Sequence, residues 1–353
     1  MQSRPGDRSY TWREKSIRAS ATSPTLRAVH PGERSRLKAA LLSNPTSRFN
    51  RRHLAEVRRR IDGAANIRHV ETQHIDDVAA ALADLAMEDT RVIAINGGDG
   101  TVHLVLSALM NSDAFREPPI VAVLPGGTTN MTARDLNGGA VRFFDALERF
   151  IARAPDAHGA QPRHVLQVRQ SGAADRYGFF FGMGAIVRGI RFCHERVYRM
   201  GFRDEWAGGV ALLRGAWGIL TRESAFTKSV PLTFTVDAAR VQADANLFFV
   251  SALEQLLLGI RPFWGEGDAP LRATLVRRHP RRFARTLPAL LRGRPHPNLT
   301  PEAGYSSWRL EQMHVCGAGL FTIDGEIYES ERSLRVHAAG PLRFLPLGPE
   351  GHG

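Results

Sequence analysis

Apolar residues follow two different patterns along the chain. From residue 37 to about residue 155, short continuous apolar runs alternate with stretches of helical spacing. The runs "LKAALLS", "IRHVET", "RVIAIN" and "PIVAVLPGG" predict four strands, the second ending at Thr72. Between and after them, "RRHLAEVRRRI" (Leu54, Val57, Ile61), "DDVAAALADLAM", "TVHLVLSALM" and "AVRFFDALERFIARA" predict helices. Continuous apolar strands alternating with helices describe an open α/β layer with a parallel sheet covered on both faces. After Pro162 the pattern shortens and often alternates with period two. "RHVLQVRQ", "RYGFFFGMG", "VPLTFTVD", "ANLFFVSAL", "LRATLVRR", "HVCGAGLFTIDGEIYE" and "LRVHAA" predict a β-rich part, interrupted by a helical insert near 190–222. The expected organisation is a disordered basic tail at 1–36, an α/β domain at 37–158 completed by 330–348, and a β-rich sandwich domain at 159–329.

Composition changes this picture only where charge is concentrated. Residues 1–60 hold 15 Lys and Arg against 4 Asp and Glu, and residues 271–300 hold 8 Arg and no acid. With a net charge of +12, the remainder carries −7, so basic segments sit on a mildly acidic body. That is not the uniform basic surface of a nucleic-acid coat, and no nucleic-acid partner is expected. Cys193 and Cys316 form neither a metal spacing nor a disulfide framework. With no apolar run of about 18 residues or more and no secretory apolar region near the start, a cytoplasmic protein is expected.

The candidate chemistry lies in turns. In an open α/β sheet, ligands bind beyond the carboxyl ends of the strands. Three small, polar turns fall there: Asn44–Ser47 ("NPTS"), Asn96–Thr101 ("NGGDGT") and Pro125–Asn130 ("PGGTTN"). Glycines let backbone N–H groups face an anion, and a following helix N-terminus adds partial positive charge. Together the turns make a plausible polyphosphate cradle. Asp99 would repel phosphate unless it holds or orients Mg²⁺; its alternative is to cap the helix beginning near Val102. Neither a P-loop nor a dinucleotide fingerprint is present.

"NGGDGT" followed by "LPGGTTN", with "NPTSR" at 44–48 and "FTIDGE" at 321–326, resembles the diacylglycerol kinase catalytic family, and more distantly the NAD kinases. The resemblance implies an ATP-dependent lipid kinase with Mg²⁺ carried alongside ATP. It implies that Asn44, Thr46, Ser47 and Thr72 approach the nucleotide. Gly97, Gly98, Asp99, Gly100 and Thr101 would cradle the phosphates, with Thr128 and Asn130 opposite. Glu326 would be the general base, with Asp324 orienting it or sharing that role; read alone, Asp-Gly between alternating apolar residues is a hairpin turn. The sequence departs from the family at Arg48, His103 and Met131, and of a structural metal segment only Asp268 is retained.

A lipid acceptor implies a membrane surface. "HPRRFARTLPALLRGR" sets Arg281, Arg282, Arg285, Arg292 and Arg294 beside Phe283, Leu287, Leu290 and Leu291, the composition of an interfacial helix. Segment 277–294 is therefore expected to contact anionic membrane at the inner face. Trp206, Val210, Leu213 and Trp217 share one helical face, read as core packing. Rival readings are a kinase of a soluble alcohol or nucleotide, and a non-catalytic nucleotide- or lipid-binding protein on the same scaffold.

Overall fold

The computed structural model describes residues 38–349 except 65, 73, 193–228, 237–238, 318 and 331. The tail at 1–36, the Trp206–Trp217 stripe and Cys193 lie outside the described residues. Strands β1 (Ala39–Ser43), β2 (Ile67–Glu71), β3 (Val92–Gly97) and β4 (Ile120–Pro125) run parallel in the order β2-β1-β3-β4. Register aligns Ser43 with Glu71 and Asn96, and Gly97 with Pro125. The carboxyl ends, and the turns after them, therefore share one edge.

Period two assigns the strand residues to two faces. Leu41, Ala94 and Leu124 pack with Val57 and Ile61 of α1 (Asn50–Asp62) and with Phe143, Leu147 and Phe150 of α5 (Phe143–Arg153). Leu42, Ile93, Ile95 and Val123 pack with Leu82 and Leu85 of α2 (Ile75–Met87) and with Val105 and Leu106 of α3 (Asp99–Met110). Both faces are dry, which is why the strands carry no alternation.

The β-rich part comprises β5 (Gln161–Gln170), β6 (Arg176–Gly178), β7 (Phe180–Gly184), β8 (Val230–Val236), β9 (Ala239–Ser251), β10 (Leu271–Arg277), β11 (Tyr305–Leu310), β12 (Gln312–Cys316), β13 (Gly319–Ile323), β14 (Glu326–Ser330) and β15 (Ser333–Phe344). Its described pairings are antiparallel. β15 joins the two parts: it pairs with β5 and β12, and its last residue, Phe344, lies parallel beside Val121 of β4. Leu345 N–H then donates to Val121 O at 2.8 Å, and Leu347 enters the core around Phe150.

Some elements differ from the expectation. The helix after β3 begins at Asp99, not near Val102. A short helix, α4 (Met131–Leu136), and strand β11 had no sequence signal. Helix α6 (Ala185–Phe192) opens the predicted insert. Helix α7 (Phe283–Arg292) occupies the basic segment, but its apolar side is partly used by the protein. Leu290 is buried against Val276, Leu299 and Tyr305, and Thr286 Oγ1 is 2.8 Å from the Tyr305 hydroxyl. Leu287 and Leu291 are only half-buried. Cys316, at the end of β12, is half-buried.

Because Phe150 is fully buried where α5 meets the sheet and the C-terminal segment, Phe150→Ala is expected to lower unfolding free energy by about 3–5 kcal/mol in urea titration.

Candidate active site

The two Gly-rich turns touch backbone to backbone. A Cβ on Gly127 would lie 2.3 Å from Gly98 Cα, and one on Gly126 would lie 2.7 Å from Asn96 Oδ1. Gly126 N–H also donates to Gly97 O at 3.1 Å. No side chain fits between the turns.

The first turn is tied to the second through Asn44. Its Nδ2 donates to Thr101 Oγ1 at 3.0 Å, while its Oδ1 accepts from Thr46 N–H and Oγ1 at 2.9 and 2.7 Å. Beneath, buried Asn96 donates to Ser43 Oγ and Asn50 Oδ1, and His69 Nε2 lies 2.8 Å from the same Ser43 hydroxyl. Thr72 is buried at the end of β2, its N–H donating to Ser43 O at 2.9 Å.

Asp99 does not cap its own helix. It stands in the first turn of α3, yet its carboxylate points to α4. Oδ1 accepts from Thr132 N–H at 2.8 Å; Oδ2 accepts from Met131 N–H at 3.2 Å and Thr129 Oγ1 at 2.7 Å. Asp99 thus caps the N-terminus of α4, which is preceded by Asn130, a residue in left-handed conformation with φ 48°. Asn130 Oδ1 in turn accepts from Gly127 N–H at 2.7 Å. At the other end of α4, buried Asp135 ion-pairs with Arg163 and accepts from Glu254 and Gln255 N–H at 3.0 and 2.9 Å.

Asp324 and Gly325 join β13 to β14 with φ 48° and 96°, the two positive φ values of a tight hairpin turn. Hairpin and site are the same residues. Asp324 is buried and accepts from Phe179 N–H at 2.9 Å and Phe180 N–H at 2.9 Å. Burial, and next the negative charge of Asp99, push its carboxyl well above the usual carboxylate range, against those two hydrogen bonds. Glu326 opens β14 and is exposed. A Cβ on Gly100 would lie 2.6 Å from Glu326 Oε1, so the carboxylate rests on the first turn of α3, where partial positive charge favours it.

Behind Glu326 lies a pair, His103 and Tyr328, of which the sequence singles out only His103. On β14, Tyr328 shares the face of Glu326 by period two. Its hydroxyl is 2.6 Å from His103 Nε2, and His103 Nδ1 is 2.7 Å from Tyr177 O. A carbonyl only accepts, so Nδ1 carries the proton and Tyr328 donates to Nε2. Burial lowers His103 to about 4, keeping the ring neutral. Arg176 covers the Tyr328 ring at 4.4 Å. The unusual residue at position 103 is therefore a strut between α3, β6 and β14.

The remaining expected residues divide. Arg48, Arg52, His53, Gly127, Thr128 and Asn130 help line a cavity of about 510 Å³. Ser47 Oγ and Asn96 Oδ1 are enclosed beside these turns with no hydrogen-bond partner among the described residues. Enclosed donors and acceptors beside glycines that exclude a Cβ suit an anionic, polar ligand such as a nucleotide. Asp268 is not brought into this set: it is exposed in the loop before β10. Among the described residues no group of three or more His, Cys, Asp or Glu could hold a metal ion.

With the geometry in view, the likenesses are these. A sequence model of the diacylglycerol kinase catalytic domain matches residues 38–158. No curated protein matches the chain by sequence. Two crystal structures from Bacillus anthracis strain Sterne share the fold. One, of a candidate diacylglycerol kinase, superposes with a TM-score of 0.65 at 16% identity over 91% of this chain and 98% of that one. The other, of a diacylglycerol kinase, gives 0.57 at 17% over 89% and 98%.

His103 yields a pH prediction. Its folded value lies below the unfolded value of 6.5, so the stability it contributes is present above pH 6.5 and is lost as pH falls toward about 4. Wild type minus His103→Asn, compared by urea midpoints, is expected to shrink across that window by about 3 kcal/mol at most. A difference independent of pH would contradict the neutral strut.

Proposed function

We propose, on the premise that this chain belongs to the diacylglycerol kinase catalytic family through residues 38–158, that it is a lipid kinase moving the γ-phosphate of ATP to the hydroxyl of diacylglycerol or a related lipid alcohol. The observation that carries this reading is the seating of Glu326 against Gly100. A general base from late in the chain lies at the start of the helix whose preceding glycines exclude side chains.

In this reading the Gly97–Gly98 and Gly126–Gly127 backbones receive the phosphates, Asn44 and Thr101 fix the first turn against them, and the Arg48 and Arg52 side of the 510 Å³ cavity takes the rest of the nucleotide. Glu326 accepts the proton of the attacking hydroxyl; in a loose phosphoryl-transfer transition state its main task is to position that hydroxyl. Asp324, biased toward its protonated form and bonded to two backbone N–H groups, suits positioning of the hairpin better than proton abstraction. Mg²⁺ carried by ATP would neutralise developing phosphate charge, as such ions are usually held largely by the substrate's own phosphates. Asp99, with one lone-pair direction on Oδ1 uncommitted, would be the carboxylate that orients it. Its first duty is the cap.

The lipid acceptor places the reaction at a membrane surface, the inner face being the expected one. No helix among the described residues is long and apolar enough to cross a membrane.

Phosphate transfer from labelled ATP with Mg²⁺ to lipids in mixed micelles tests this. Wild type is expected to label a lipid alcohol, and Glu326→Gln to lose about 100-fold or more in kcat while calorimetry shows ATP bound as before. Label reaching only soluble alcohols, or unimpaired turnover by Glu326→Gln, would overturn the assignment. Asp324→Asn keeps an acceptor for one backbone N–H; it is expected to fold, with kcat reduced more than KM is changed.

A further inference from the structure

A groove of about 560 Å³ is lined by none of the candidate nucleotide or catalytic residues, and takes in part of the basic segment expected to meet a membrane. One wall is Leu287, Pro288 and Leu291 of α7; the other is Gly259, Ile260 and Arg261; Arg292 and Arg294 close its end. The walls are fixed to each other. Arg261 N–H donates to Leu291 O at 2.9 Å, and Gly293, at φ 61°, lets the chain pass so close that a Cβ there would lie 2.1 Å from Arg261 O. Ile260, Leu287 and Leu291 are half-buried, whereas Arg261, Arg292 and Arg294 are exposed.

Beside the groove stands Leu258, 44% exposed and held at φ 58°. A leucine rarely adopts this left-handed conformation, which persists only where the surroundings enforce it. Here the enforcing bonds are Leu256 N–H to Ile260 O at 2.7 Å and Gly259 N–H to Leu256 O at 2.9 Å. The fold therefore keeps an apolar side chain in water at the rim of an apolar groove.

Charge identifies the occupant. Residues 271–300 contain 8 Arg and no Asp or Glu. Among the described residues no ion pair joins Arg261, Arg292 or Arg294 to a carboxylate. An apolar floor ringed by uncompensated guanidinium groups matches the boundary between acyl chains and anionic headgroups.

We propose that this groove docks the chain on a membrane by taking the headgroup of an anionic phospholipid between Arg261, Arg292 and Arg294. Leu258, Ile260, Leu287 and Leu291 then rest at the acyl boundary. The docking turn is also tied to the phosphate turns. Gly259 lies against Arg134 of α4, and Glu254 and Gln255 donate to Asp135, so the helix capped by Asp99 supports the groove from inside. The inference rests on the proposed function only in that a lipid acceptor gives docking a purpose; binding is read without turnover.

Sedimentation of the full chain with vesicles of phosphatidylcholine alone, or containing phosphatidylglycerol, tests it. Wild type is expected to bind the anionic vesicles, to be released by salt, and to leave neutral vesicles unbound. Arg261→Ala, Arg292→Ala and Arg294→Ala are each expected to weaken binding about fivefold. Leu258→Ser is expected to weaken it by a similar factor at every salt concentration at which wild type still binds. These side chains are exposed, and unchanged ATP binding by calorimetry checks that the variants are folded. Anionic-vesicle binding unaffected by all four substitutions would overturn the proposal. So would equal binding to neutral vesicles, or a short DNA duplex whose binding alone is lost in the arginine variants. If vesicles bind through these residues but no lipid is phosphorylated, the docking site stands and the kinase reading falls.

Discussion

The carboxylate of Asp99 holds the candidate site together. α4 has only six residues, fewer than a helix needs to persist in water, and it begins from a left-handed asparagine with no side-chain cap of its own. Two of its first N–H groups find their partner in Asp99, from the preceding helix, which also accepts from Thr129. The same carboxylate fixes the second Gly-rich turn against the first, where Gly98 and Gly127 leave no room for a side chain. At its far end α4 holds the β-rich part through Asp135, Arg163 and the backbone at 254–255. One buried carboxylate, satisfied by three donors, therefore sets the spacing of the Gly-rich turns, α4 and the β-rich part.

The acidic residues then fall into distinct environments. Asp99 is buried and committed to donors. Asp324, close enough to feel Asp99, is pushed toward its protonated form and ties the β13–β14 hairpin to the backbone that links β6 to β7. Glu326, two residues on, is exposed at the start of α3. Burial separates these carboxyl groups more decisively than chain position does. The neutral His103–Tyr328 pair fixes the strand that carries Glu326 from behind.

Period two and period 3.6 made the parallel layer legible, because dry strands must be apolar throughout and covering helices must show a stripe. The Gly-rich turns were legible because only glycine allows such close approach of backbone, and Asp-Gly announced its hairpin. What escaped depended on partners far along the chain. α4 was invisible because its cap lies 33 residues before Thr132, and the His103–Tyr328 bond spans 225 residues. Composition also overstated the membrane face of α7: Leu290 belongs to the apolar set but packs on Tyr305, while Ile260 and Arg261, from a separate turn, complete the groove. A stripe says that a face is apolar; the neighbouring turns decide what covers it.

Amide hydrogen exchange at Met131 and Thr132, in wild type and in Asp99→Ala, tests the central role of Asp99 most directly. Protection of both amides in wild type, its loss in the variant, and unchanged protection along α2 are the expected results. Equal protection of Met131 and Thr132 in the two proteins would mean that α4, and the spacing of the Gly-rich turns with it, is held by something other than Asp99.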